Sequence, residues 1–218
     1  MDKYQVELYL NRHHTNAVNF MSPVLNLGEP LLSVPVRITK SIGSGYRYTR
    51  NGEPEIVIPD WFLNRENISE RERIGVMEYD CIHETGHHFH DMLNPRVWIE
   101  TRRENKRTKR LAGWKRTARF AQLIELNELV AELFTFLYFD LTGGVETFLS
   151  GSGRKVSTLD NEFMKVWKFW GNHKIPIFNR LIRSSYEGAK YLPGVGLLFQ
   201  KAERMIRDNL DSVKWKTK

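Results

Sequence analysis

At 218 residues, with 41% hydrophobic and 27% charged positions, the chain can bury a core, and no apolar run nears the roughly 18 residues of a membrane span. A single cysteine, Cys81, excludes an internal disulfide, and the opening Met1-Asp2-Lys3-Tyr4-Gln5 lacks the basic-then-apolar pattern of a secretory leader, so a reducing cytoplasm is the expected compartment. The net charge of +7 is concentrated between Arg96 and Arg119, where ten Lys or Arg face only Glu100 and Glu104, leaving the remainder close to neutral.

In chain order, Val6 to Leu10 reads as a strand and Asn11-Arg12-His13-His14 as a polar turn with solvated histidines. From Ser33 the pattern turns to sheet. Val34, Val36 and Ile38 alternate with Pro35, Arg37 and Thr39, and Gly45 to Arg50 repeats the alternation through Tyr46 and Tyr48. Asn51-Gly52 signals a two-residue hairpin turn, followed by the short strand Glu55 to Ile58, which Pro59 stops. The expected product is a small antiparallel sheet of three or four strands.

Ser69-Glu70-Arg71-Glu72 is a capping box, so a helix is expected from there to about Leu93, ahead of Asn94-Pro95. It carries His83-Glu84-Thr85-Gly86-His87, the HExxH pattern. Residues four apart on a helix lie about 40° from each other, so His83 and His87 leave one face and can share a zinc ion. Glu84, about 100° round, reaches a water at that metal without ligating it and can act as general base and then acid. Cys81 falls on the opposite side and reads as a small core residue. His88 and His90 read as supporting or solvated groups, since one rigid helix cannot wrap three of its own side chains around one ion.

The basic segment 96–119 contains Trp98 and Trp114 and suits either a phosphate backbone or a solvated face over two buried indoles. A third metal ligand must come from elsewhere. The metzincin pattern fails, because position 93 is Leu and the expected glycine is His90. The next helix, Thr117 to Leu141, offers Glu125, Glu128 and Glu132 on an otherwise apolar body closed by Gly143-Gly144. Beyond the linker-like Ser150 to Gly153, helices are expected over 159–170, 177–191 and 197–215. Phe163, Val166, Trp167 and Trp170 form a core stripe, and His173 is the loop histidine best placed to steady an oxyanion.

Asn127-Glu128-Leu129-Val130-Ala131-Glu132 resembles the NExx(A/S)(D/E) segment of the gluzincins, the thermolysin-like zinc peptidases, of which the small single-domain minigluzincins are the nearest comparison. The wording His-Glu-x-Gly-His-His with Glu-x-x-Ala-Glu downstream is also similar to the ImmA/IrrE-type metallopeptidases. The resemblance implies that Glu128 is the third ligand and that Glu132 accepts the N–H of a ligating histidine. It further implies that a strand before the metal helix, here Glu55, Ile56, Val57 and Ile58, holds the substrate backbone at a sheet edge.

The expectation is thus one zincin-like α+β domain over 1–218. Its parts are N-terminal strands and sheet (1–68), metal-site helices (69–144, with the basic insertion 96–119) and a helical C-terminal part (154–218). It would be a zinc metallopeptidase holding one Zn2+ and cleaving a peptide or protein substrate. Two rivals are a narrow-specificity regulatory protease that the basic segment brings to nucleic acid, and a non-catalytic nucleic-acid-binding protein keeping a zincin-like fold.

Overall fold

The structure is a computed structural model that describes residues 1–27, 31–64, 66, 69–93, 95, 99–101, 103, 118–142, 197, 198, 200, 201 and 204. His173, the linker at 150–153, the stripe from Phe163 to Trp170 and nearly all of the basic segment lie outside the described residues. So does almost all of the helical C-terminal part.

The first 27 residues overturn the expected strand and turn. Lys3–Val24 is one helix, α1. Asp2 caps it in a reciprocal box with Gln5, the Gln5 N–H reaching Asp2 Oδ1 at 2.8 Å and the Asp2 N–H reaching Gln5 Oε1 at 3.0 Å. Its buried positions, Val6, Leu10, His14, Ala17, Val18 and Met21, repeat at helical spacing. Asn26 in the left-handed region (φ 50°) ends it, with the Leu27 N–H returning to the Ser22 carbonyl at 3.0 Å.

Three strands follow: β1 (Val36–Thr39), β2 (Gly45–Tyr48) and β3 (Pro54–Pro59). Their spatial order is β1-β3-β2, with β1 parallel and β2 antiparallel to β3, so the sheet is mixed and not purely antiparallel. The Asn51-Gly52 signal marks a real hairpin, but its loop has three residues. The Gly52 N–H reaches the Thr49 carbonyl at 3.1 Å, Gly52 takes φ 88°, and the Thr49 N–H closes on the Glu53 carbonyl at 2.8 Å. β3 is the inner strand. Its unbroken buried run Ile56-Val57-Ile58 is what a strand covered on both faces needs. Glu55, Ile56, Val57 and Ile58 therefore do not form an edge: their backbones are paired with β1 on one side and β2 on the other, leaving no room for an added strand.

Helix α1 stoppers the outer edge of β1. The Asn11 amide donates to the Val36 carbonyl (2.8 Å) and accepts the Val36 N–H (2.9 Å), and Glu7 accepts the Ile38 N–H at 2.9 Å. The opposite edge, β2, faces helix α2. A 3-10 turn, Asp60–Asn64, leads to α2 (Glu70–Leu93), which opens with the expected capping box, the Glu72 N–H lying 3.2 Å from Ser69 Oγ and the Ser69 N–H 2.8 Å from Glu72 Oε2. Helix α3 (Ala118–Thr142) matches the expected glutamate helix and packs along α2. Val6, Leu10, Val36, Ile38, Ile56, Ile58, Met77 and Cys81 share one core between α1, the sheet and α2, and Phe89 meets Phe134 (5.2 Å between ring centroids) between α2 and α3. Among the described residues no helix is long and apolar enough to cross a membrane.

His14, expected in solvent, is fully buried. Its Nε2 accepts the Val34 N–H at 2.9 Å, so Nδ1 must carry the proton, donated to Thr85 Oγ1 at 2.8 Å; Thr85 in turn donates to the Cys81 carbonyl at 2.8 Å. Burial, then neighbouring His88, pushes His14 from 6.5 down to about 3. The unfolded chain takes this proton below about pH 6.5 while the folded chain refuses it down to about pH 3. The associated stability is complete above the upper value and drains on acidification, by at most about 1.4 kcal/mol per pH unit. His14→Gln is expected to flatten the acid-side fall of melting temperature by one proton's worth. Superimposable curves would show that His14 is not held neutral.

Candidate metal centre

Helix α2 presents His83 and His87 toward α3, their rings 4.9 Å apart and perpendicular. From α3, Glu128 spans both: Oε2 lies 3.3 Å from His83 Nε2 and Oε1 lies 3.6 Å from His87 Nε2. Both imidazoles thus turn the same nitrogen toward one carboxylate. Ligand atoms of His83, Glu84 and His87 also lie within 4.8 Å of one another, a group that could hold a metal ion. The imidazoles are nearly buried while Glu128 is half exposed, so the cluster opens toward solvent on the α3 side.

The helices meet closely because of Gly86. A Cβ there would stand 2.6 Å from Ala131 Cα and 2.8 Å from the Ala131 carbonyl oxygen. Ala131 is three residues past Glu128, so this contact sets how near the carboxylate comes to the two histidines. Tyr79, one turn before His83, lies nearly parallel to the His83 ring (6.3 Å between centroids) and to Phe139 (6.5 Å).

Glu84 belongs to this group and also reaches the sheet. It is buried, and its Oε2 accepts the Tyr46 N–H from β2 at 2.7 Å. Burial pushes its carboxyl up to about 7; Glu128 and Asp80 push the same way, while His83 and the Tyr46 N–H oppose them. Burial alone would lower His83, but the hydrogen bond to Glu128 and the charges of Glu84, Glu128 and Glu132 leave it raised. Burial, then His83, brings His87 down to about 3, against the pull of Glu128. His83 is thus the more basic of the pair and His87 a neutral donor, the form a metal takes.

Glu132 stands one turn beyond Glu128, and its charge is felt at His83 and Tyr79. The expected hydrogen bond to a ligating imidazole is not formed at His83, whose buried Nδ1 has no partner. His88 and His90 are buried, not solvated: His88 Nε2 donates to the Leu32 carbonyl at 2.7 Å, and His90 lies beneath α3 beside Asn127. Cys81 is buried in the core as expected, its thiol 3.6 Å from the Leu10 carbonyl. Tyr46, Gly86, Asp91 and the His14–Thr85 pair were not anticipated. A signal for some of them exists in the stripe Asp80, Glu84, His88 and Asp91, which follows one helix face. No known protein family, curated protein or solved structure matches the chain, so what the site does must be argued from its own geometry.

Proposed function

We propose that the chain is a zinc-dependent metallopeptidase, with His83, His87 and Glu128 as ligands and Glu84 as the catalytic acid–base. The observation that carries this is the convergence of two Nε2 atoms on Glu128, with Glu84 beside them and one of its oxygens already taken by the Tyr46 N–H. Two imidazoles and one carboxylate suit zinc and leave a coordination position open, unlike a closed structural site. Bound there, the ion would supply a Lewis acid that polarises a carbonyl and makes water more acidic.

The chain's own residues supply the rest. Glu84 takes a proton from the attacking water and returns it to the leaving amine, and its burial, which raises its carboxyl, favours holding that proton between the two transfers. The Tyr46 N–H fixes that carboxylate while leaving a second oxygen for the water. The substrate strand is β2 in place of β3. Opposite Tyr48 stands Pro54, which has no N–H, and Thr49 pairs with Glu53, so by strand alternation Tyr46 turns its backbone groups outward, to the side where Glu84 lies. With the Tyr46 N–H held by Glu84, an extended peptide added there would pair with the Tyr46 carbonyl and the outward backbone groups of Tyr48, beside Glu84.

Purified protein is expected to bind one zinc per chain, with Glu128→Ala lowering affinity at least about tenfold and His83→Ala more. Metal titration with a competing chelator reads both. Undiminished zinc affinity in Glu128→Ala would remove that residue from the ligand set. A second reading, with Glu84 as a ligand, draws on its carboxylate lying within 4.8 Å of both imidazoles.

A further inference from the structure

Strand β2 is laced to α2 by carboxylates. Along one face of the helix, Asp80 accepts the Ser44 hydroxyl, Glu84 accepts the Tyr46 N–H at 2.7 Å, and Asp91 accepts both the Tyr46 hydroxyl (2.8 Å) and the Tyr48 hydroxyl. His88 Nδ1 lies 3.4 Å from the Tyr46 hydroxyl. Positions 80, 84, 88 and 91 make one stripe, beside the stripe that carries His83 and His87. Proton transfer accounts for Glu84 alone.

Asp91 is the unexplained member. It is only 4% exposed, lies two turns past Glu84, and takes two phenols on the same oxygen, Oδ2. Burying a carboxylate and two hydroxyls is costly unless all are satisfied, and their satisfaction here depends on one relative placement of strand and helix. β2 has four residues and its hairpin end is held to β3 by the Thr49–Glu53 bond, so the contacts with Asp91 are what tie that end to α2. Apolar burial does little to hold that end: Tyr46 belongs to the core, whereas Tyr48 is only partly covered.

We propose that Tyr48 and Asp91 are positioning residues that fix the height of β2 above the metal helix, and so the place of a peptide paired to β2 relative to Glu84. This rests on the peptidase reading and adds to it the device that sets substrate depth. The bonds of Tyr46 and Tyr48 to Asp91 run between β2 and α2 without passing through His83, His87 or Glu128, so metal binding and substrate placement become separable.

The test uses the full chain loaded with zinc and a quenched-fluorescence peptide, comparing Tyr48→Phe, Asp91→Ala and Asp91→Asn. Tyr48→Phe breaks one hydrogen bond to Asp91 and Asp91→Ala breaks both, and they are expected to raise KM about tenfold or more, with kcat changed far less and zinc still at one per chain. Deuterium exchange at the Tyr46 amide, followed by NMR, should quicken by a similar factor. Asp91→Asn keeps an acceptor oxygen and should restore both values. Should Asp91→Ala fail to fold, Tyr48→Phe, which only deletes a hydroxyl, carries the test. Tyr46 exchange and KM both unmoved in Tyr48→Phe would overturn the anchor. A wild-type protein without hydrolysis would instead sink the peptidase reading, and the exchange measurement would still decide the anchor.

Discussion

Glu84→Gln is expected to cut peptide hydrolysis by at least about 10²-fold, the usual contribution of a positioned acid–base group, while zinc content and melting temperature stay near wild type. The amide keeps an oxygen that can accept the Tyr46 N–H, so the side chain stays where it is. It replaces a buried carboxyl by a neutral group of the same shape, which removes a desolvation cost and leaves the fold intact. What it cannot do is accept a proton. Zinc analysis, a melting curve and a peptide assay on one preparation give the answer. Turnover unchanged with metal retained would remove Glu84 from the mechanism. Loss of metal would favour the second reading, in which Glu84 is itself a ligand.

Gly86→Ala is expected to damage fold and site together. The new methyl would meet the backbone of Ala131 at 2.6 Å, and backbone cannot rotate aside as a side-chain tip can. The helices must part. Overpacking of this kind costs about 1–3 kcal/mol, against which the better helix propensity of Ala returns at most about 1 kcal/mol. Parting α2 from α3 also carries Glu128 away from His83 and His87, so zinc affinity should fall by at least about tenfold. Calorimetry and metal titration read the two losses separately. A Gly86→Ala protein with native zinc affinity would show that this crossing does not set the ligand distance.

What could be seen in the sequence was local in kind. The capping box at Ser69–Glu72, the helix carrying His83 and His87, the hairpin at Gly52 and the glutamate helix each announce themselves within a few residues. The failures share a different cause, which is that they depend on partners far along the chain. Val6 to Leu10 fits a strand template as well as a helix. The helical stripe of α1 is hidden because a histidine, His14, occupies one of its buried positions, and only the distant Thr85 and Val34 make that burial tolerable. The strand facing the site was misplaced for a similar reason. Alternation shows that Glu55 to Ile58 is extended, but not that β1 and β2 close on it from both sides. Gly86 is visible as a glycine in the motif, yet the backbone that demands it belongs to Ala131.

The stopper that Asn11 and Glu7 place on β1 bears on how the molecule behaves among its own copies. A sheet with two open edges can polymerise, each copy extending the next, and a three-stranded sheet of this apolar content would be prone to it. With both hydrogen-bonding groups of Val36 and the N–H of Ile38 already occupied, growth from that side loses most of its pairing. Among the described residues the other edge, β2, lies against α2 and the acids Asp80, Glu84 and Asp91, with its Tyr46 N–H already given to Glu84. With the β1 edge covered in this way, the sheet does not offer its copies the pair of open edges that an endless ladder requires.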